Sequence, residues 1–279
     1  MNSPDRYAVI GHPVHHSRSP FIHERFAQQV GHDLVYTRID AGPEVFEHTV
    51  LEFFAQGGKG LNVTLPHKQA AVNVVADLTP RAARAGAVNT LSLASDGSLR
   101  GDNTDGLGLI RDLVYNHGVT VAGRRVLLLG AGGAARGVLV PLLGLQPREL
   151  TVANRSADRA IELAQAFRSE GDIHGCGFAD LAGEPYDLVI NATSASLGGE
   201  ALPLPAGVVE AHSFCYDMAY APEDTAFVRW AQQRGCTRAV MGLGMLVEQA
   251  AESFFIWRGI RPDTAAVLAA LKVELSTEG

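Results

Sequence analysis

Hydrophobic and polar positions form two kinds of segment along nearly the whole chain: short apolar runs of strand length, and longer stretches with apolar residues on one helical face. Because strands and helices that alternate in sequence usually build parallel sheets covered by helices, this pattern predicts an α/β protein. The predicted strands before residue 106 are Tyr7–Ile10, Leu34–Ile39, Gly60–Thr64 and Val88–Leu93. The helices predicted between them are Pro20–Val30, Pro43–Ala55 and His67–Ala76.

A second series of the same kind follows a predicted linking helix at Leu107–His117. Its predicted strands are Val126–Leu129, Leu150–Ala153, Asp187–Asn191, Phe214–Asp217 and Arg238–Val240. Its predicted helices are Ala134–Leu143, Ala157–Phe167 and Asp224–Gln233, followed by a terminal pair at Met245–Trp257 and Asp263–Leu275. At about 150 residues per domain, the 279-residue chain is long enough for two domains.

The strand at Val126–Leu129 runs into a cluster of small residues, Gly130-Ala131-Gly132-Gly133-Ala134. Gly130 permits a tight turn out of the strand, and Gly132 lets the backbone approach a phosphate without a Cβ in the way. The following helix directs free N–H groups and its positive dipole end at an anion. The segment therefore predicts a Rossmann-type dinucleotide site, with a sizeable domain before it.

The end of the next predicted strand, Asn154-Arg155-Ser156, indicates which dinucleotide binds. An acidic residue at this point would accept hydrogen bonds from the ribose 2′-hydroxyl of NAD, but no carboxylate stands there. Arg155, with Arg159 one helical turn later, can instead bind a 2′-phosphate. We interpret these residues as a site that binds NADP in preference to NAD. The alternative is that both arginines are simply solvent-exposed residues at the start of a helix.

Charge and composition exclude several classes of partner. A net charge of −7 argues against nucleic-acid binding, and no apolar run reaches the roughly 18 residues that a membrane helix needs. The start of the chain also lacks the apolar core of a signal peptide. The three cysteines, Cys176, Cys215 and Cys236, are widely spaced and predict reduced thiols in a cytoplasmic protein. The expected partner is a small molecule, and the sequence leaves the oligomeric state open, a homodimer included.

Three polar segments before the glycine cluster are candidates for chemistry: His16-Ser-Arg-Ser-Pro20, Asn62-Val-Thr-Leu-Pro-His-Lys68 and Gly101-Asp-Asn-Thr-Asp-Gly106. Ser19 could simply cap a helix, and Asp102 and Asn103 could simply form an Asx turn. Strand alternation places Asn62 and Thr64 on one side.

These segments and several later ones resemble the shikimate dehydrogenase family from Tyr7 to about Leu275. The further matching motifs are Ala85-Gly-Ala-Val-Asn-Thr90, the glycine cluster, Asn154-Arg-Ser156, Asn191-Ala-Thr-Ser194, Tyr216-Asp-Met-Ala-Tyr220 and Gly242-Leu-Gly-Met-Leu246 with Gln249. The resemblance implies reversible reduction of 3-dehydroshikimate to shikimate by NADPH, in aromatic amino-acid biosynthesis.

The resemblance also implies roles for individual residues. The catalytic pair would be Lys68 and Asp105, with Lys68 left open as the proton donor or mainly a positioning charge. The implied substrate contacts are Ser17, Ser19, Asn62, Thr64, Asn89, Asp105, Tyr220 and Gln249. The implied cofactor contacts are Gly130, Ala131, Gly132, Gly133, Ala134, Asn154, Arg155, Ser156, Arg159, Thr193, Met218 and Gly242.

The order of these motifs predicts the domain organisation. Residues 1–106, with 243–279 packed back on them, would form an open α/β substrate domain. Residues 107–242 would form the Rossmann-type NADP domain, with the active site in the cleft between the two.

Alternatives and departures remain. A quinate/shikimate dehydrogenase that also uses NAD, or a non-catalytic NADP(H)-binding sensor, would share many of these motifs. The chain departs from the family's common pattern at Gly11-His12, Ala195-Ser-Leu-Gly198 and Met241. His12, His15 and His16 form a histidine-rich turn without acidic or cysteine ligands in sequence, and we predict no metal site there.

Overall fold

A computed structural model of the chain describes residues 3–181, 184–193, 195 and 202–277. The chain divides into two compact units, the first of which is Met1–Gly108 with Val247–Glu274. The second is Leu109–Leu246 with Leu275–Gly279. Within the described residues, no helix is both long enough and apolar enough to cross a bilayer.

The first unit contains one mixed sheet. Its strands are β1 (Asp5–Gly11), β2 (Leu34–Asp40), β3 (Gly58–Val63), β4 (Asp77–Leu78), β5 (Thr90–Leu93) and β6 (Leu99–Asp102). The strand order is β2-β1-β3-β5-β6-β4, with β1 parallel to β2 and β3. β5 runs antiparallel to both β3 and β6. The parallel pairing that the alternation of strands and helices favours therefore holds for β1 with β2 and β3, but not for β5. A short turn through Asp96-Gly97 joins β5 to β6, and such a turn is a hairpin signal that the sequence interpretation did not use.

The helices of the first unit cover a sheet whose central strands are buried on both faces. Those that precede residue 105 are α1 (Ser19–Val30), α2 (Phe46–Ala55) and α3 (Pro80–Ala85). Alternation along β1 sends Ala8 and Ile10 into one hydrophobic cluster, and Tyr7 and Val9 into another.

The helix predicted at His67–Ala76 is wrong: the segment contains only a short 3₁₀ turn at Ala70–Asn73. β-Branched valines at positions 72, 74 and 75 lower its helix preference. These valines pack instead against the core.

The second unit contains a sheet in which every recorded strand pair is parallel, as predicted. Its strands are β7 (Arg125–Leu129), β8 (Glu149–Asn154), β9 (Ile173–Gly177), β10 (Leu188–Asn191), β11 (Phe214–Asp217) and β12 (Arg238–Met241). The order is β12-β11-β10-β7-β8-β9. β9 was missed because its sequence, Ile-His-Gly-Cys-Gly, has little apolar character. With the mixed sheet of the first unit, this arrangement agrees with the predicted fold class, in which a Rossmann-type domain accompanies an open α/β domain.

The remaining helices follow the predicted order. They are α4 (Asp105–Arg111), α5 (Gly133–Gly144), α6 (Ala157–Phe167), α7 (Ala226–Gln233), α8 (Leu243–Arg258) and α9 (Thr264–Thr277). The predicted linking helix is divided, since α4 continues into a π-helical turn at Asp112–Asn116.

Candidate active site

Two buried serines lie at the N-terminus of α1. The hydroxyls of Ser17 and Ser19 are 3.2 Å apart, and the Ser19 N–H donates to the Ser17 Oγ at 3.3 Å. The N-cap of α1 is Arg18, and no side-chain bond caps the helix. The interpretation of Ser19 as a helix cap is therefore wrong. Two hydroxyls beside a helix N-terminus form an environment suited to a small anion.

Lys68 and Asp105 form a close, largely buried ion pair. The Lys68 Nζ donates to the Asp105 Oδ2 at 2.6 Å, with the two side chains 16% and 5% exposed. The Asn89 Nδ2 donates to the other carboxylate oxygen at 2.9 Å and to the Gln249 Oε1 at 3.3 Å. Asp105 also begins α4, where a carboxylate is favoured by the helix dipole. The structure thus brings four predicted site residues into one hydrogen-bonded group.

Asn62 belongs to the same buried group. Its Oδ1 accepts from the Tyr36 hydroxyl at 2.7 Å, and its Nδ2 donates to the Asn89 carbonyl at 3.1 Å and the Ser253 hydroxyl at 3.0 Å. Thr64 follows the end of β3 and is half-buried, with its N–H donating to the Ile10 carbonyl at 2.9 Å.

The side chains of Asn103 and Asp102, at the start of the turn that leads to Asp105, make different contacts. The Asn103 Oδ1 accepts from the Asp105 N–H at 3.1 Å, which is the Asx turn expected from the sequence. Asp102 instead pairs with Arg81 through two bonds of 2.5 and 2.8 Å. Hydrogen bonds from Arg81 and Thr79 hold the pKa of Asp102 below its usual value, although burial alone would raise that pKa.

In the second unit, the glycine cluster forms a strand–turn–helix junction between β7 and α5. Gly130 has a φ of +107°, which only glycine adopts readily, and a Cβ there would lie 3.2 Å from the backbone of Ala192. A Cβ at Gly132 would meet no described atom within 4 Å, so open space lies in front of the helix N-terminus. No side chain caps α5. Free N–H groups facing open space fit a pyrophosphate.

The predicted 2′-phosphate ligands lie at the end of β8 and the start of α6. Arg155 and Ser156 are exposed, Asn154 is half-buried, and the Asn154 Nδ2 donates to the Ser156 carbonyl at 3.1 Å. Arg159 is exposed as well. Across the described ranges, neither arginine forms an ion pair or a hydrogen bond, which leaves both guanidinium groups available to an anion.

The carboxyl ends of β10 and β11 hold the remaining predicted cofactor residues. The Asn191 Oδ1 accepts from the Thr193 hydroxyl at 2.7 Å, and its Nδ2 donates to the buried Asp217 at 3.1 Å. Met218 follows Asp217 directly, and its N–H donates to the Asn191 carbonyl at 2.9 Å. A Cβ at Gly242 would lie 2.8 Å from the Met218 carbonyl oxygen. Tyr220 lies half-buried in the loop after β11, within the second unit.

Comparisons with known proteins identify the family. The family model for the "Shikimate dehydrogenase substrate binding domain" matches residues 9–91. The models "Shikimate / quinate 5-dehydrogenase" and "Shikimate 5'-dehydrogenase C-terminal domain" match residues 113–198 and 242–272. The shikimate dehydrogenase (NADP(+)) of Methylococcus capsulatus is 53% identical over 277 residues, which cover 99% of each chain. The chain belongs to the shikimate dehydrogenase family.

Further relatives support the same conclusion. The shikimate dehydrogenase (NADP(+)) of Hahella chejuensis is 55% identical over 268 residues, covering 96% of this chain and 98% of that protein. The structure of shikimate 5-dehydrogenase from Thermus thermophilus, in complex with NADP(H) and shikimate, has a TM-score of 0.84 and 33% identity. It covers 96% of this chain and 99% of that one. The family resemblance drawn from the motifs is confirmed.

The sequence motifs do not include the residues that support the two serines and Asn62. Tyr36, Arg38 and Asp40 lie at alternate positions of β2 and therefore share one face of the strand. Tyr36 contacts Asn62, and Arg38 contacts the Ser17 carbonyl. The alternation of polar residues in this strand was the available signal.

The histidine-rich turn has an acidic neighbour that the sequence did not reveal. The Asp40 Oδ1 lies 2.6 Å from the His12 Nδ1, and this hydrogen bond holds the pKa of Asp40 below its usual value. Within the described part of the chain, no group of three or more histidine, cysteine, aspartate or glutamate residues could hold a metal ion. In the Ala195–Gly198 departure, positions 196–198 lie outside the described residues.

Proposed function

We propose that this chain catalyses the reversible, NADPH-dependent reduction of 3-dehydroshikimate to shikimate, with Lys68 and Asp105 as the catalytic pair. The observation that carries the proposal is the 2.6 Å Lys68–Asp105 contact, tied through Asn89 to Gln249. A buried ion pair linked to uncharged hydrogen-bonding groups suits a substrate that carries hydroxyls and develops charge on a carbonyl oxygen.

The Lys68 ammonium has two tasks in this reaction. Bound NADPH supplies the hydride that reduces the ketone carbon, and negative charge then grows on the ketone oxygen. The Lys68 Nζ can stabilise that charge and deliver a proton to the oxygen, since an ammonium has three N–H groups and Asp105 engages one of them. In the reverse direction, Lys68 takes the proton back.

Asp105 has a fixed orientation, because one oxygen accepts from Lys68 and the other from Asn89. We infer that it orients Lys68 and accepts a hydrogen bond from a substrate hydroxyl. Asn62, Thr64, Tyr220 and Gln249 complete the set of polar groups that would recognise the remaining hydroxyls. An analogue without those hydroxyls would leave such groups unpaired, and this penalty supports specificity for a polyol.

The substrate carboxylate would lie against Ser17 and Ser19. Both hydroxyls are buried and lie at the positive end of α1. A carboxylate accepts hydrogen bonds but donates none, so two hydroxyls and a helix N-terminus are matched to it.

For the cofactor, the pyrophosphate would bind the glycine cluster Gly130–Ala134. The 2′-phosphate would bind Arg155 and Arg159, with Asn154 and Ser156 beside them. Thr193, Met218 and Gly242 would hold the nicotinamide side. The exposed arginines support NADP, because an anion with two guanidinium groups nearby gains charge-assisted hydrogen bonds.

One spectrophotometric experiment tests this function. Purified protein is assayed with shikimate or quinate, each with NADP or NAD, and cofactor reduction is followed. We expect turnover with shikimate and NADP to exceed the other three combinations. Comparable turnover with quinate and NAD would indicate the broader quinate/shikimate activity, and NADPH binding without turnover would indicate a sensor.

One further prediction concerns the cellular setting. We infer that the enzyme acts in the cytoplasm, where its three unpaired cysteines would stay reduced. Sedimentation velocity would distinguish a monomer from a homodimer.

A further inference from the structure

We propose that Arg38 is a positioning residue for substrate binding, because it fixes the peptide that carries Ser17. The proposal rests on the function above, in which Ser17 and Ser19 bind the substrate carboxylate. No family motif identified in the sequence contains Arg38, and its role emerges only from the folded chain.

Arg38 makes two hydrogen bonds to one acceptor. Its Nε and Nη2 donate to the Ser17 carbonyl at 2.9 and 2.7 Å. Two donors from one planar guanidinium restrict rotation of the acceptor peptide more strongly than one donor can. The Ser17 N–H donates to the Val14 carbonyl at 3.0 Å, so the backbone of Ser17 is held on both sides.

The neighbours of Arg38 on β2 support the same loop. The Asp40 Oδ2 accepts from the Val14 N–H at 3.2 Å, and the Tyr36 hydroxyl bonds to Asn62 at 2.7 Å. One face of an edge strand therefore holds the loop at Val14 and Ser17 and fixes the amide of Asn62. Among the side chains of Tyr36, Arg38 and Asp40, that of Arg38 alone carries a permanent positive charge.

That charge suits the proposed ligand. His16 lies in the same loop, and burial lowers its pKa, with the nearby guanidinium groups of Arg18 and Arg38 contributing to the shift. These two permanent positive charges lie at a loop that also contacts the Asp40 carboxylate, and their excess over that one negative charge favours an anionic ligand.

The test measures KM and kcat for shikimate in Arg38→Met and Arg38→Lys. We expect the KM of R38M to rise about tenfold, with kcat changed less than about threefold and the KM for NADP unchanged. Lysine keeps the positive charge but donates from one nitrogen, so the KM of R38K should rise less than that of R38M. Arg100→Met is the matched control, since Arg100 lies on β6 of the same sheet and pairs with Asp77 at the surface. An unchanged KM in R38M would overturn the proposal.

A double-mutant cycle with Ser17→Ala separates positioning from other effects. This variant keeps the carbonyl that Arg38 contacts but lacks the hydroxyl that Arg38 is proposed to position. We expect R38M to raise KM less than twofold in the S17A background. A full tenfold rise there would show that Arg38 acts without Ser17 and would overturn the proposal.

The shikimate methyl ester, which lacks the negative charge, provides a second readout. R38M should raise its KM less than that of shikimate, and equal rises would contradict a role in carboxylate binding. Thermal unfolding midpoints of all variants identify any general loss of structure. If the wild type fails to oxidise shikimate at all, the proposed function fails, which is a different result from an active wild type that is insensitive to R38M.

Discussion

The two units organise their predicted site residues by different physical means. In the first unit, side chains bond to side chains: the two oxygens of the Asp105 carboxylate accept from Lys68 and from Asn89. In the second unit, the predicted anion site at Gly130–Ala134 consists of backbone groups, and Arg155 is exposed without an ion pair among the described residues. A network of buried side chains is preorganised for one small ligand. A helix N-terminus facing open space can instead bind a phosphate group whatever molecule carries it.

This difference predicts how each region responds to mutation. Removing one member of a closed network leaves its partners unpaired and disturbs several contacts together. Removing an exposed arginine deletes one interaction with the ligand and leaves the fold unchanged. The following predictions test that contrast, beginning with the largest expected effect.

Lys68→Met should lower kcat for shikimate by about 10²- to 10⁴-fold, because the substitution removes the ammonium that stabilises and protonates the ketone oxygen. The Kd for NADPH, measured by fluorescence titration, should stay within twofold of the wild-type value. Lys59→Met is the matched control, since Lys59 is an exposed lysine on β3. Full activity of K68M would remove Lys68 from the mechanism.

Arg155→Ala should raise the KM for NADP about 10- to 100-fold, because a charged hydrogen bond to the 2′-phosphate contributes roughly 1.5–3 kcal/mol. The KM for shikimate should not change, and steady-state kinetics with each substrate varied in turn measures both values. Arg168→Ala, at the C-terminal end of α6, is the control. Equal effects of R155A on NADP and NAD would contradict the assignment of the 2′-phosphate site.

Arg81→Met should lower the free energy of unfolding by about 2 kcal/mol, since it leaves Asp102 without its bidentate partner. The value lies below that of a fully buried pair, because the Arg81 side chain is 31% exposed and solvent screens it. Urea denaturation followed by circular dichroism measures the change. Arg100→Met, which removes a surface pair, should cost less than about 1 kcal/mol, and equal losses would show that burial does not distinguish the two pairs.

His23 should make the first unit sensitive to acid. Burial lowers the pKa of this histidine to about 3, so the folded protein keeps the ring neutral while the unfolded chain protonates it near pH 6.5. The free energy of unfolding should therefore fall as the pH drops below 6.5, by about 1.4 kcal/mol from this group at pH 5.5 relative to pH 8.

His23→Phe should remove that part of the pH dependence and keep a ring that stacks on Tyr36, whose ring centroid lies 4.3 Å away. Denaturant unfolding at several pH values compares H23F with wild type and with His212→Phe, which alters an exposed histidine. A wild-type slope in H23F would show that other groups cause the acid sensitivity.

The same contrast explains what could be predicted from sequence. The backbone site could be predicted from the sequence, because Gly130 and Gly132 directly follow an apolar strand. Glycines at these positions permit the tight turn and the close approach of a phosphate. The predicted helix after them, Ala134–Leu143, lies within the observed α5. Arg155 could also be identified from the sequence, since it directly follows the next strand.

The side-chain network was harder to predict from the sequence, because its members come from distant parts of the chain. Asn62 meets Tyr36 across 26 residues and Ser253 across 191, and no local pattern indicates either contact. Motif resemblance named Asn62, but it named neither Tyr36 nor Ser253. The failed helix at His67–Ala76 has a related cause, since tertiary packing of its valines outweighed a weak local helix pattern.

The hairpin of β5 and β6 bears on the engineering of this enzyme. At its open end, Asn89 directly precedes the paired residue Thr90, and Asp105 follows the paired residue Asp102 by three positions. Its turn, at Asp96-Gly97, lies at the opposite end of the ladder. A peptide epitope or a fluorophore attachment site inserted at this turn would lengthen an exposed connection and leave the register of the ladder unchanged. The turn is therefore a suitable place to attach a reporter while keeping the enzyme active.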